Sequence, residues 1–307
     1  MLKERILSTL RFFDFQDYPL TLLELQRFLV TDLEVLKKLI DMQGEIIISN
    51  FKKEQEITID KILECLDSEL QNFVENTLGF YHLAGRKPIV QSRLQNYFFG
   101  IKREKLIKKY IGGLKYIPFV RGAALAGSQA MGQEKEASDI DLLIITDPKY
   151  MWLARTLVTA YFQILGKRRH GRKIQNRFCL NHYLAGPKLV LSLRNLYTAS
   201  EYLKLRPLVY TSCVSDFQSQ NAKWLKIFFP NAVIADKSAR HTHAQPDVQR
   251  FFEKILSGSF GRWLEKLLKN WQLPKIRREK FIVVEEDELS FHPESKQQEL
   301  LQKFLFE

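Results

Sequence analysis

Ala123-Ala124-Leu125-Ala126-Gly127-Ser128, followed after ten residues by Asp139-Ile140-Asp141-Leu142-Leu143-Ile144-Ile145, decides how this chain is read. A small-residue strand runs into a Gly-Ser turn, and two carboxylates spaced i, i+2 stand at the mouth of a second apolar strand. Side chains alternate along a strand, so Asp139 and Asp141 are expected on one face while Ile140 and Leu142 pack on the other. Two like charges at the edge of a core must lose a charge or bind a cation. A hard divalent ion answers that need, because Mg2+ takes oxygen ligands and commonly uses one or two carboxylates together with substrate phosphates. Gly127 lets the backbone approach a ligand, and exposed N–H groups at such a turn attract phosphate.

The run Gly127-Ser128 … Ser138-Asp139-Ile140-Asp141-Leu142 resembles the signature of the DNA polymerase beta-like nucleotidyltransferase superfamily: a hydrophobic strand, Gly-Ser, a spacer of this length, then Asp-x-Asp with apolar neighbours. The match is carried by the stretch from Val120 to Asp147. The resemblance implies Mg2+ held by Asp139 and Asp141, and nucleoside triphosphate phosphates seated by Gly127, Ser128 and Ser138. It also implies transfer of a nucleotidyl group, from ATP or another triphosphate, to an acceptor hydroxyl with release of pyrophosphate. The plain alternative is a strand–turn–strand whose aspartates cap a solvent-facing edge.

In that superfamily a third strand usually brings a third carboxylate beside the first two. Here the third strand is expected at Phe178-Cys179-Leu180-Asn181-His182-Tyr183-Leu184, and the aligned residue is Asn181. An amide oxygen can ligate a metal, but it cannot act as a general base and adds no negative charge. Asn181 is therefore taken as a third-strand catalytic ligand or orienting group. His182 is expected on the opposite face of a regular strand. Glu201 could return a carboxylate to the site, although a place at a helix N-terminus, where the dipole favours negative charge, explains it as well. The loop with Lys167, Arg168, Arg169, Arg172, Lys173 and Arg177 precedes the third strand and could neutralise triphosphate or an acidic substrate.

The 307 residues exceed the usual single-domain size, and 45% hydrophobic with 27% charged residues match a globular chain. A net charge of +12 favours a phosphate-bearing or polyanionic partner, or serves solubility alone. No run reaches the length needed to span a bilayer, so no membrane partner is expected and the location is read as cytoplasmic. Cys65, Cys179 and Cys213 lack a paired metal spacing and read as reduced, mostly buried thiols without a zinc site.

Four regions follow. Residues 1–86 read as a helix, a Thr21-capped helix, a helix begun at Thr58 and a short strand near Leu78–Gly85, an order that resembles a winged helix-turn-helix with an insertion around Asp32 to Glu56. Asp60, Glu64, Asp67 and Glu69 make its third helix acidic, so DNA is a partner the reading allows but does not favour. Residues 87–117 read as a long basic connecting helix, most of whose cations form a solvated face. Residues 118–192 form the nucleotidyltransferase-like α/β core with a mixed sheet, and residues 193–307 are largely helical, with strand Phe281–Val284 and a terminal helix Gln297–Phe306. The fold class is thus α+β. The function is a Mg2+-dependent nucleotidyltransferase acting on an unidentified acceptor, whether small molecule, protein or RNA end. The alternative is a regulatory protein that binds nucleotide or nucleic acid and has lost turnover.

Overall fold

The computed structural model describes residues 1–41, 56–234, 244–278, 282–291, 301 and 303–304. The chain is α+β with a mixed sheet. Among the described residues, no helix is long and apolar enough to cross a membrane.

The N-terminal unit runs α1 (Leu2–Asp14), β1 (Leu20–Thr21), α2 (Leu22–Arg27), α3 (Leu33–Asp41), α4 (Ile59–Glu69), β2 (Val74–Thr77) and β3 (Phe80–Leu83). Thr21 caps α2 as its sequence indicates: its hydroxyl accepts from the Glu24 N–H at 3.3 Å, and the Glu24 carboxylate accepts from the Thr21 N–H at 3.0 Å. Helix α2 ends at Arg27 instead of reaching Val30. After α4 comes the hairpin that a winged-helix order expects, β2 and β3 turning at Leu78-Gly79, and β1 adds to it in the order β1-β3-β2. Thr58 precedes α4 without a side-chain cap bond.

Helix α5 (Pro88–Ile111) and a 3-10 turn (Gly112–Tyr116) lead to the main sheet. Its strands are β4 (Val120–Leu125), β5 (Ile140–Thr146), β6 (Phe178–Ala185), β7 (Arg206–Val209), β8 (Val283–Val284) and β9 (Glu288–Ser290), in the order β7-β4-β5-β6-β9-β8. Among the described residues, only β5 and β6 of these strands pair in parallel. The central strands are apolar on both sides because both faces are covered. Helix α7 (Met151–Ile164) and α11 (Ser259–Ile276) pack on one face, where Leu142, Ile144 and Phe178 are buried. On the other face, Ala124, Leu143 and Ile145 meet α8 (Leu196–Leu203) and α9 (Thr211–Phe228). That cluster continues into the N-terminal unit through Phe28 and Phe229, whose rings lie 5.8 Å apart.

Two features escape a pattern reading. The segment Arg206–Val209 contains a proline and looked like helix-flanking core, yet it is the edge strand beside β4. The amphipathic stretch Phe251 to Trp271 is two helices, α10 (Asp247–Leu256) and α11, parted at Ser257-Gly258. Of the expected strand Phe281–Val284, Val283–Val284 is strand, while Phe281 and most of the terminal segment Gln297–Phe306 lie outside the described residues.

A charged knot ties the N-terminal unit to the sheet domain. Glu24 receives Arg93 from α5 at 2.8 Å and Lys204, just after α8, at 2.8 Å. The Tyr18 hydroxyl donates to the Met131 carbonyl at 2.8 Å. Burial opposes ionisation of Glu24, but the two cations outweigh it and pull its pKa down to about 2.

Candidate functional site

The site is built where β4 ends and β5 begins. After Leu125 the backbone turns through Gly127, with φ of +63°, into a single helical turn, α6 (Gly127–Met131). Two constraints select glycine here. The left-handed backbone disfavours any side chain, and a Cβ at residue 127 would stand 2.5 Å from Asp141 Oδ2. The Gly-Ser turn is therefore pressed against the second carboxylate, and the Ala126 N–H donates to the Asp141 carbonyl at 3.0 Å.

The spacer returns to β5 under the control of a cation that sequence reading assigned to a solvated face. Arg103 of α5 is buried, and its guanidinium donates to the carbonyls of Lys135 and Glu136 and to Asn176 Oδ1, at 3.0, 3.1 and 2.9 Å. It pins the turn before Asp139 to the loop before β6. Ser138 helps to close that turn by accepting from the Lys135 N–H at 3.2 Å.

Asp139 lies one residue before β5, while Asp141 is within it, so the pair does not sit on one regular strand. The two carboxylates nevertheless converge: Asp139, Asp141 and Cys179 each offer an atom within 4.8 Å of the others. Arg169 stands 2.8 Å from Asp139 Oδ2 but is not aligned as a hydrogen-bond donor, which leaves this buried oxygen with none. Asp141 receives the Asn181 amide on Oδ1 at 2.8 Å. Burial, reinforced by the charge of Asp139, pushes the Asp141 carboxyl up to about 7. Burial also raises the Cys179 thiol, which stays protonated at neutral pH.

The third strand reaches the site through an irregularity. Asp141 pairs with Cys179 and Leu143 with His182, so Leu180 and Asn181 together oppose one residue. This bulge re-aims Asn181 at Asp141 and returns His182 to the same face, contrary to the expectation for a regular strand. His182 is turned away from the carboxylates, with Nε2 3.0 Å from Glu288 and Nδ1 against the Tyr202 hydroxyl. Cys179, read from sequence only as a buried thiol, is the residue in register with Asp141. An accurate register was the missing signal, and a bulge cannot be read from alternation.

Glu201 is corrected in one respect. It lies in the second half of α8, whose N-cap is Asn195, so the helix dipole does not account for it. Burial and the charge of Asp141 raise its carboxyl to about 8, with Tyr197 as its hydrogen-bond partner. Tyr197 in turn lines a cavity of about 700 Å3 together with Ser128 and Ser138. The sequence-derived residues Gly127, Ser128, Ser138, Asp139, Asp141 and Asn181 thus gather at one end of β4, β5 and β6.

The donor set fits a hard divalent ion. Two converging carboxylates, one with a buried oxygen that accepts no hydrogen bond, supply the oxygen ligands that suit Mg2+, and the protonated Cys179 does not compete as a soft ligand. Compared with family models, with curated proteins and with solved structures, the chain gives no match in any of the three.

Proposed function

We propose that this protein is a Mg2+-dependent nucleotidyltransferase that moves a nucleotidyl group from a nucleoside triphosphate to an acceptor hydroxyl and releases pyrophosphate. The observation that carries the reading is the convergence of the half-buried pair Asp139 and Asp141, the second pressed against the Gly127 turn, with one buried carboxylate oxygen that accepts no hydrogen bond and is met only by the Arg169 ion pair. Asp139 and Asp141 would hold the ion, whose chemistry is to draw charge from phosphate oxygens during displacement. Ser128 and Ser138 line the neighbouring cavity and would donate to the triphosphate. Asn181 fixes the rotamer of Asp141 through its amide. Arg169, now against Asp139, is free to turn to a bound anion when a cation takes over that carboxylate.

The N-terminal order, with a β1-β3-β2 sheet behind three or more helices, supports a winged-helix-like module. Its acidic α4 disfavours DNA as the partner. A cytoplasmic location belongs to the same reading and is supported by three free cysteines.

A regulatory reading is favoured by one observation. The third-strand position holds an amide, and Glu201 stays protonated at neutral pH, so neither supplies a third carboxylate. Pyrophosphate release from ATP and the other triphosphates, with Mg2+ and cell extract as acceptor source, separates the two. Release that disappears in Asp139→Asn and Asp141→Asn establishes the transferase, whereas Mg2+-dependent binding without release selects the regulatory reading.

A further inference from the structure

The carboxylate pair is approached by two cavities. One is the space lined by Ser128, Ser138 and Tyr197. The other, of about 730 Å3, opens from the far side, between α7, α11 and the first half of β6, and has Cys179 and Asn181 in its wall. It exists because β9 pairs with β6 only from His182 onward, which leaves the start of β6 uncovered by that strand.

The chemistry of the second cavity is one-sided. Arg155, Arg168, Arg169, His170 and Lys275 line it, and no Asp or Glu among the described residues does. Arg169 links it directly to the site through Asp139. Asn181 adds a specific demand: the residue is 8% exposed, its amide nitrogen is committed to Asp141, and its Oδ1 has no donor. A buried acceptor left unpaired carries a desolvation cost that a ligand hydroxyl would recover. A ligand for this space must therefore carry negative charge for the arginines and an O–H for Asn181.

We infer that this second cavity binds the acceptor, and that the acceptor is a small hydroxylated organic anion bearing phosphate or carboxylate. The inference rests on the transferase reading above and assigns the basic loop to the acceptor instead of to the triphosphate. In the transfer, the acceptor oxygen bonds to the α-phosphorus and the bond from that phosphorus to the departing pyrophosphate oxygen breaks. The hydroxyl proton passes to solvent, so the products are the nucleotidyl ester, pyrophosphate and one proton.

The test uses the full chain, glycerol 3-phosphate as the charged probe and glycerol as the neutral control, with binding followed by calorimetry. The expected result is binding of glycerol 3-phosphate but not glycerol, unaffected by saturation with Mg2+ and ATP. Arg168→Glu with Lys275→Glu should weaken it by at least about tenfold, as the loss of charge-assisted hydrogen bonds requires, while Lys61→Glu, on the exposed surface of α4, leaves it unchanged. Arg168→Gln with Lys275→Gln is the milder pair should charge reversal disturb folding. Binding that ignores these substitutions, or that ATP displaces, overturns the assignment. So does a short RNA that binds through these cations more tightly than the small probe. Nucleoside triphosphate binding without probe binding sinks the cavity alone, whereas probe binding without binding of any of the nucleoside triphosphates sinks the transferase reading and leaves the anion cavity standing.

Discussion

Two groups of buried charge in this molecule are built on opposite principles. At the junction between the N-terminal unit and the sheet domain, one carboxylate, Glu24, is held by two cations, Arg93 and Lys204. At the strand mouth, two carboxylates share one partly exposed arginine, and Asp141 is answered by a neutral amide. The first drives Glu24 down to about 2, and the second drives Asp141 up to about 7. A satisfied cluster holds structure together; a cluster that raises its own free energy is retained for what it binds. The contrast supports the proposal that Asp139 and Asp141 serve a ligand, while Glu24 ties the N-terminal unit to the sheet domain.

The largest expected effect breaks the satisfied side. Glu24→Ala strands Arg93 and Lys204 in a buried setting, and loss of about 3–5 kcal/mol of stability follows, measured by denaturant unfolding. Because the folded pKa of Glu24 is depressed, its contribution is present above the unfolded value near 4.5 and is lost as pH falls towards about 2. Acid titration should loosen the wild type in that window, and Glu24→Gln should remove this dependence.

On the unsatisfied side the sign reverses. The raised pKa of Asp141 means that its stability is present below the unfolded value of 3.8 and is lost as pH rises through about 7. Asp141→Asn, permanently neutral, should stabilise the ion-free protein at pH 8 by about 2–4 kcal/mol while abolishing pyrophosphate release. A gain in melting temperature together with loss of activity is the signature of a residue kept at a cost.

Gly127→Ala sharpens the comparison further. Left-handed backbone and a 2.5 Å approach to Asp141 should make it destabilising by about 1–3 kcal/mol. The damage should be smaller in an Asp141→Ala background, which removes the carboxylate, only if the clash, and not the backbone, dominates, as a double-mutant cycle would show. The smallest effect is expected at Cys179. If its thiol remains protonated, Cys179→Ser changes Mg2+ affinity by no more than about twofold, whereas a thiolate ligand would lose far more.

The strands of the site were legible because they are apolar runs bounded by turn residues: Val120–Leu125, Ile140–Thr146 and Phe178–Ala185 all stand close to where periodicity put them. The convergence of Asp139 and Asp141 was legible in outcome, although it arises from a turn meeting a strand and not from simple alternation. What stayed hidden depends on register and on distant partners. The β6 bulge moved Asn181 and His182 to one face, and Pro207 concealed a sheet-edge strand. Arg103, one cation among many on a basic helix, is buried because carbonyls more than 30 residues away receive it. Glu24 and Lys204 are 180 residues apart, and nothing local marks them as a pair.

The central claim is that the carboxylates at the strand mouth are held in tension until a cation joins them. Its most direct test is the thermal unfolding of chelator-treated wild type and Asp141→Asn at pH 8, with and without Mg2+. The account predicts that Asp141→Asn melts higher than the wild type without the ion. Added Mg2+ should then raise the wild type along a saturable curve, as ligand linkage requires, and leave the variant unmoved. A variant that melts lower than the wild type, or that responds equally to Mg2+, would contradict it.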